Sequence, residues 1–209
     1  MNDRFEEVIT TRERLRELRK PPRELVRNKS IDHIDDICRR YISAAPFIMI
    51  ATRGADGLLD LSPKGDPAGF VAVLDDKTLA IPDRPGNNRL DTFENLLANP
   101  EIGLFFLIPG NNDTLRVSGT ARIVRDKALQ ARFEIRGRVP DLVLVVSVEE
   151  AFTHCPKCVV RSGLWDEKRW PDLADVPTLA EAVVAHAELS EPVSEIQALI
   201  DKDRVERLY

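Results

Sequence analysis

No apolar run in this sequence approaches the roughly 20 residues needed to span a bilayer. The start, Met1-Asn2-Asp3-Arg4-Phe5-Glu6-Glu7, has no signal-peptide core, so a cytoplasmic protein is the expectation. Positive charge is not in surplus either. The chain carries 35 acidic against 30 basic residues, a net charge of −5, which argues against nucleic acid or an anionic membrane as partner, since both require a basic face. Three cysteines among 209 residues are too few, and odd in number, for a disulfide framework; a reducing compartment keeps them as thiols. No Ser-His-Asp set and no carboxylate pair stands out, so hydrolysis lacks its usual groups. There is no internal repeat and no long polar linker.

With 43% hydrophobic residues, 1–209 reads as a single domain with a sizeable core, in three unequal parts. Residues 1–45 are helical in pattern. Leu15 and Leu18 precede Pro21-Pro22, then Ile31, Ile34, Ile37, Cys38 and Tyr41 recur at helical spacing, with Ser30 as the expected cap and Asp32, Asp35 and Asp36 in the first turns. Residues 46–152 are strand-rich, with segments expected at 47–52, 58–62, 70–74, 78–82, 102–108, 115–124 and 142–152, most of them separated by turn residues. From Leu115 to Ile123 apolar or small residues alternate with Arg116, Ser118, Thr120 and Arg122, so one face meets a core. Segments 47–51 and 104–108 are apolar on both faces. The expected fold is mainly β with flanking helices: six or seven antiparallel strands in a meander or Greek key closing toward a small barrel. Residues 153–209 hold a Cys/Trp-bearing stretch and two helical patterns, around Leu179 to Ala187 and Val193 to Ile200.

Two segments carry candidate chemistry. Ile81-Pro82-Asp83-Arg84-Pro85-Gly86-Asn87-Asn88-Arg89 runs from a strand through a turn into a helix marked by Leu90, Phe93 and Leu97. Asn87 or Asn88 is the expected cap. The unpaired N–H groups of a helix start, with Arg84 and Arg89 beside it, suit a phosphate; a capped helix start that binds only water, with Asp83 and Asp91 neutralising the arginines, accounts for the same residues. The second segment is Asp60-Leu61-Ser62-Pro63-Lys64-Gly65-Asp66, where Ser62 offers a hydroxyl, Lys64 a charge and Gly65 close backbone approach. By itself it also reads as an exposed turn.

These two segments, together with Ser43-Ala44-Ala45-Pro46-Phe47, Pro67-Ala68-Gly69-Phe70, Asn99-Pro100 and Thr114-Leu115-Arg116-Val117-Ser118-Gly119, resemble the pyridoxamine 5'-phosphate oxidase-related flavoproteins. More narrowly they resemble the subgroup of FMN-dependent enzymes with a Ser-Pro-Arg/Lys-Gly-Asp signature. The resemblance spans residues 25–166 and implies a split-barrel fold and a homodimer with FMN at the subunit interface. It places FMN contacts on Ser62, Pro63, Lys64, Arg84, Asn87, Asn88 and Arg89, ring contacts on Ile50 and Ala51, and Arg116 and Ser118 as contributions of the partner subunit.

Phe152-Thr153-His154-Cys155-Pro156-Lys157-Cys158-Val159-Val160-Arg161-Ser162-Gly163-Leu164-Trp165 is similar to the subgroup's second signature but has Cys158 where Ala is usual. The resemblance makes His154, Lys157, Arg161 and Trp165 substrate-pocket candidates; as plain sequence, His154 and Trp165 fit a core or interface equally well. His154 with Cys155 and Cys158 also suggests zinc or a redox pair. A structural zinc needs a fourth ligand and no thioredoxin-like pattern surrounds the motif, so no metal is expected; a redox role for the two thiols stays open. The implied activity is FMN-dependent oxidoreduction of a small molecule. The alternatives are a pyridoxamine or pyridoxine 5'-phosphate oxidase, whose arginine-rich carboxy-terminal element Asp203 to Tyr209 does not match, and a flavin-binding sensor without turnover.

Overall fold

Alternating burial along each strand shapes the architecture. In the computed structural model, which describes residues 4–209 (Met1, Asn2 and Asp3 of the start discussed above lie outside the described residues), seven strands form one antiparallel sheet. They are β1 (Phe47–Arg53), β2 (Leu59–Gly65), β3 (Ala72–Val73), β4 (Thr78–Pro82), β5 (Glu101–Leu107), β6 (Thr114–Val124) and β7 (Val143–His154). Their order is β2-β1-β5-β6-β7-β4-β3. The outer strands β2 and β3 do not pair with each other, so the barrel is split rather than closed. The helices are α1 (Arg12–Leu18), α2 (Glu24–Arg27), α3 (Asp36–Ala44), α4 (Asp91–Ala98), α5 (Lys127–Ala131), α6 (Lys157–Ser162), α7 (Leu179–His186) and α8 (Val193–Glu206). None is long and apolar enough to cross a membrane.

Ile48 and Ile50 of β1, Leu104 and Phe106 of β5, Leu115 and Val117 of β6 and Val146 of β7 point into one core with Ile34, Ile42 and Phe93. Each such side chain, fully buried, contributes about 1.5–3 kcal/mol. The alternation expected in β6 is present: Arg116 and Arg122 are exposed while Leu115, Val117, Gly119 and Ala121 are buried. A register shift at Ser118/Gly119 leaves β7 with an extra residue, Glu149, opposite β6. The backbones approach so closely there that a Cβ on Gly119 would lie 1.9 Å from the Ser147 carbonyl oxygen, which requires glycine.

Three local expectations are corrected. Segments 47–51 and 104–108 are not buried on both faces: Met49, Ala51 and Phe105 are half-exposed while Ile48, Ile50 and Phe106 are buried. Ser30 caps no helix. Its hydroxyl donates to Glu150, Ile31 bridges Ala151 on β7, and α3 starts later, where the Asp35 carboxylate accepts from the Cys38 N–H at 2.8 Å. Third, β2 runs on through Pro63 to Gly65; proline is tolerated because β2 is an edge strand paired only with β1, so its missing N–H costs no second ladder.

Candidate functional site

The end of β2 and the loop from β4 to α4 face one cleft of about 600 Å³. All seven residues expected to contact the phosphate line it: Ser62, Pro63, Lys64, Arg84, Asn87, Asn88 and Arg89. The loop geometry differs from the expected cap. Asn87 Oδ1 accepts from the Arg89 N–H at 3.1 Å, while Asn88 and Leu90 both take left-handed backbone, with φ of 58° and 60°. Leu90, not an asparagine, is the residue preceding α4, and it provides no side-chain cap. Asparagine tolerates that conformation; a leucine there costs about 1 kcal/mol. The expectation failed because Asn87 is spent on the turn itself, an ordinary use of asparagine.

The cations of this cleft are held differently. Arg84 Nε donates to Asp66 Oδ2 at 2.7 Å, with 17% of the arginine side chain and 1% of the aspartate exposed. Asp66 Oδ1 also accepts from the Tyr209 hydroxyl at 2.9 Å. Two guanidinium groups lie over the Tyr209 ring, Arg84 at 5.8 Å and Arg136 at 5.1 Å from its centre. Arg89 Nε pairs with Asp91 at 2.7 Å in the open. Among the described residues no carboxylate comes within 4.0 Å of Lys64 Nζ. Burial pushes the Asp83 carboxyl above its ordinary range, and the positive charge of Lys64 opposes that rise. Arg138 and Tyr209 line the cleft too and were not singled out from sequence; of the two aspartates expected to neutralise the arginines, Asp91 pairs with Arg89, whereas Arg84 pairs with Asp66 and not with Asp83. Arg138 sits in an irregular loop, and Tyr209 reaches the cleft from 143 positions away in the chain, a separation no local pattern signals.

A second cleft of about 360 Å³ opens on the sheet face formed by β1, β5, β6 and β7. Met49, Ala51, Phe105 and Phe152 give it an apolar floor, and Arg116, Ser118 and His154 bring polar groups. Ile50 is turned into the core, 0% exposed, so it walls neither cleft; Ala51 does line this one. The Arg116 guanidinium lies 5.1 Å from the centre of the Phe152 ring, a cation–π contact. His154 Nδ1 is buried without a hydrogen-bond partner among the described residues. Leu61 lines both clefts. Lys157 and Arg161 lie exposed on α6 and line neither. Trp165 is fixed elsewhere, its Nε1 donating to the Asn111 carbonyl at 2.8 Å in the β5–β6 turn. Among the described residues no group of three metal-ligating side chains is gathered.

Solved structures similar to this chain include HupZ of Group A Streptococcus, 25% identical over 57% of this chain and 93% of that one, with a TM-score of 0.47. A candidate pyridoxamine 5'-phosphate oxidase of Lactobacillus delbrueckii is 20% identical over 58% and 95% of the two chains, TM-score 0.47. The heme storage protein HutZ of Vibrio cholerae is 12% identical over 58% and 94%, TM-score 0.40. Comparison with curated proteins finds no match. The profile of the pyridoxamine 5'-phosphate oxidase family matches residues 34–155, a stretch that begins in front of α3, ends just beyond β7 and contains both strand-end segments of the first cleft. The match covers more than half of the sequence, and the chain belongs to the pyridoxamine 5'-phosphate oxidase family.

Proposed function

We propose that this protein is a cytoplasmic, homodimeric FMN-dependent oxidoreductase of a small molecule, with the flavin phosphate held in the first cleft. The observation that carries the reading is the convergence of Lys64, Arg84 and Arg89, from two separate segments, on one cavity. The residues present fit the group. Arg84 and Arg89 each use Nε on a carboxylate, leaving their terminal nitrogens without hydrogen bonds among the described residues. Lys64 adds a point charge, and the cleft volume falls in the range of small-molecule sites. A phosphate dianion would give these donors charge-assisted hydrogen bonds, the strong kind.

When bound, FMN supplies hydride or one-electron transfer through its own ring. The chain's residues would bind and orient it. Asp66 holds the Arg84 guanidinium in position, Lys64 and Arg89 meet the phosphate, and Leu61 continues the wall toward the second cleft. There Arg116, Ser118 and the unpartnered His154 Nδ1 would contact the flavin of the other subunit or its substrate. The dimer is supported by the edge strand β2, where Leu59 is 79% and Leu61 64% exposed; a soluble chain seldom leaves such a row uncovered.

Absorbance of the purified protein tests cofactor identity, since flavin and haem have distinct spectra. Calorimetry with FMN and riboflavin tests the phosphate seat, and equal affinity for the two would overturn it. Reduction by NADH or NADPH with a search for product separates an enzyme from a non-catalytic flavin binder, and formation of pyridoxal phosphate identifies a vitamin B6 oxidase.

A further inference from the structure

The pair Cys155 and Cys158 has no part in the flavin reading, and the structure sets it apart from the third cysteine. Cys38 is buried in α3, where burial and the neighbouring Asp35 push its thiol up to about 11, a protonated and inert group at neutral pH. Cys155 and Cys158 are both exposed and both free. Cys155 directly follows the last residue of β7, Pro156 has right-handed helical angles of φ −72° and ψ −6°, and Lys157 opens α6. Two consecutive right-handed residues between the cysteines make a tight turn, whose ends lie less than about 7 Å apart at Cα. A disulfide bridges Cα atoms about 4.4–6.8 Å apart, a range that such a turn reaches. Cys158 also lines the second cleft, beside His154 and Arg116. Cys158 therefore opens onto a cavity large enough for part of a small molecule, with the exposed Cys155 three residues before it.

We propose that Cys155 and Cys158 form a dithiol–disulfide couple that exchanges with low-molecular-weight disulfides of the glutathione class. In the oxidising direction one cysteine thiolate attacks the small disulfide, forming a mixed disulfide and releasing one small thiolate. The second cysteine thiolate then attacks the protein sulfur of that mixed disulfide, closing the Cys155–Cys158 bond and releasing the second small thiolate. Two electrons pass from the cysteine pair to the small disulfide, and the two thiol protons end on the two released thiols. The reverse sequence reduces the protein. The neighbouring thiol acts at an effective concentration of millimolar or more, so the mixed disulfide does not accumulate.

The test uses the full chain in glutathione buffers of graded ratio, trapped with maleimide and weighed intact. The expected result is a single two-electron transition in which both exposed cysteines lose their label together. With glutathione held about tenfold below that effective concentration, mixed disulfide stays a minor species, and peptide mapping places the bond at 155–158. Cys38 remains unlabelled until the protein is denatured, which serves as a check that the chain is folded. Cys155→Ser and Cys158→Ser should each halt at a stable one-glutathione adduct on the remaining cysteine. Wild-type protein that ends with two glutathione adducts, with a bond between two chains, or with both thiols unreacted overturns the proposal. None of these readouts depends on FMN, so the couple and the flavin site stand or fall separately.

Discussion

The two clefts share Leu61 and otherwise differ in how they are built. The first is made by a strand end and an irregular loop, and two of its arginines are already committed to carboxylates, Arg84 to Asp66 and Arg89 to Asp91. The second lies on the face of four paired strands, is mostly apolar, and leaves a buried imidazole nitrogen unanswered. Paired cations hold their geometry before any ligand arrives and lose less freedom on binding it. An unpaired buried nitrogen costs stability until something bonds to it. On the proposed reading the first cleft would retain one anion tightly, and the second would make a contact completed by a ligand or a partner chain.

The sharpest way to break this contrast is to remove the cations of the first cleft that lie outside the buried Arg84–Asp66 pair. Lys64→Ala with Arg89→Ala leaves the buried Arg84–Asp66 pair intact and should weaken FMN by two or more orders of magnitude, at about 1.5–3 kcal/mol for each charged hydrogen bond. Riboflavin affinity should be unchanged; calorimetry reads both. Arg84→Ala acts on the fold as well. It removes the cation from Asp66, whose side chain is only 1% exposed, and should destabilise the protein by about 3 kcal/mol in denaturant unfolding. Gly119→Ala, beneath the second cleft, should cost about 2 kcal/mol, because the new methyl meets backbone at the Ser147 carbonyl. At this chain length that lowers Tm by roughly 4–8 °C, and an unchanged Tm would mean the bulge can shift.

The smallest effect lies far from either cleft. Hydrogen bonds from Lys77, then from His33, hold the Asp32 carboxyl at about 2. A folded value below the unfolded one means the contribution to stability is present above the usual carboxylate range and is lost as pH falls through about 2. Both partners are in solvent, so NMR titration is the proper readout. Lys77→Met should return the Asp32 midpoint toward an ordinary carboxylate value.

Much of the sheet was legible because burial alternates with the residues themselves. The segment expected at 78–82 is β4 as found, and those at 47–52 and 115–124 differ from β1 and β6 by one residue. Isolated apolar content served less well, since 70–74 holds only the two-residue β3. Helix starts were harder. Ser30 and Asn87 have the right chemistry for a cap, and each was drawn to another acceptor or donor, Glu150 and the Arg89 N–H. In the site, residue types revealed the cations of the first cleft, while the pairing that fixes Arg84 depends on Asp66 and Tyr209 meeting in space. Lys157 and Arg161 sit in the same motif as His154, but α6 turns them outward, which a linear motif cannot express.

The strand order also fixes how the chain must come together in time. β6 and β7 are joined through α5 and pair along nearly their whole length, and β5 joins β6 through a short turn, so these three can assemble from nearby segments. β4, by contrast, pairs with β7 across the intervening α4, β5 and β6, with Pro82 opposite Val143. Closing that long loop carries an entropy cost before its contacts repay it. The loop that carries Arg84 and Arg89 hangs directly from β4. Loop-closure entropy thus predicts that the first cleft is completed late in folding, after the central three-stranded ribbon that receives it.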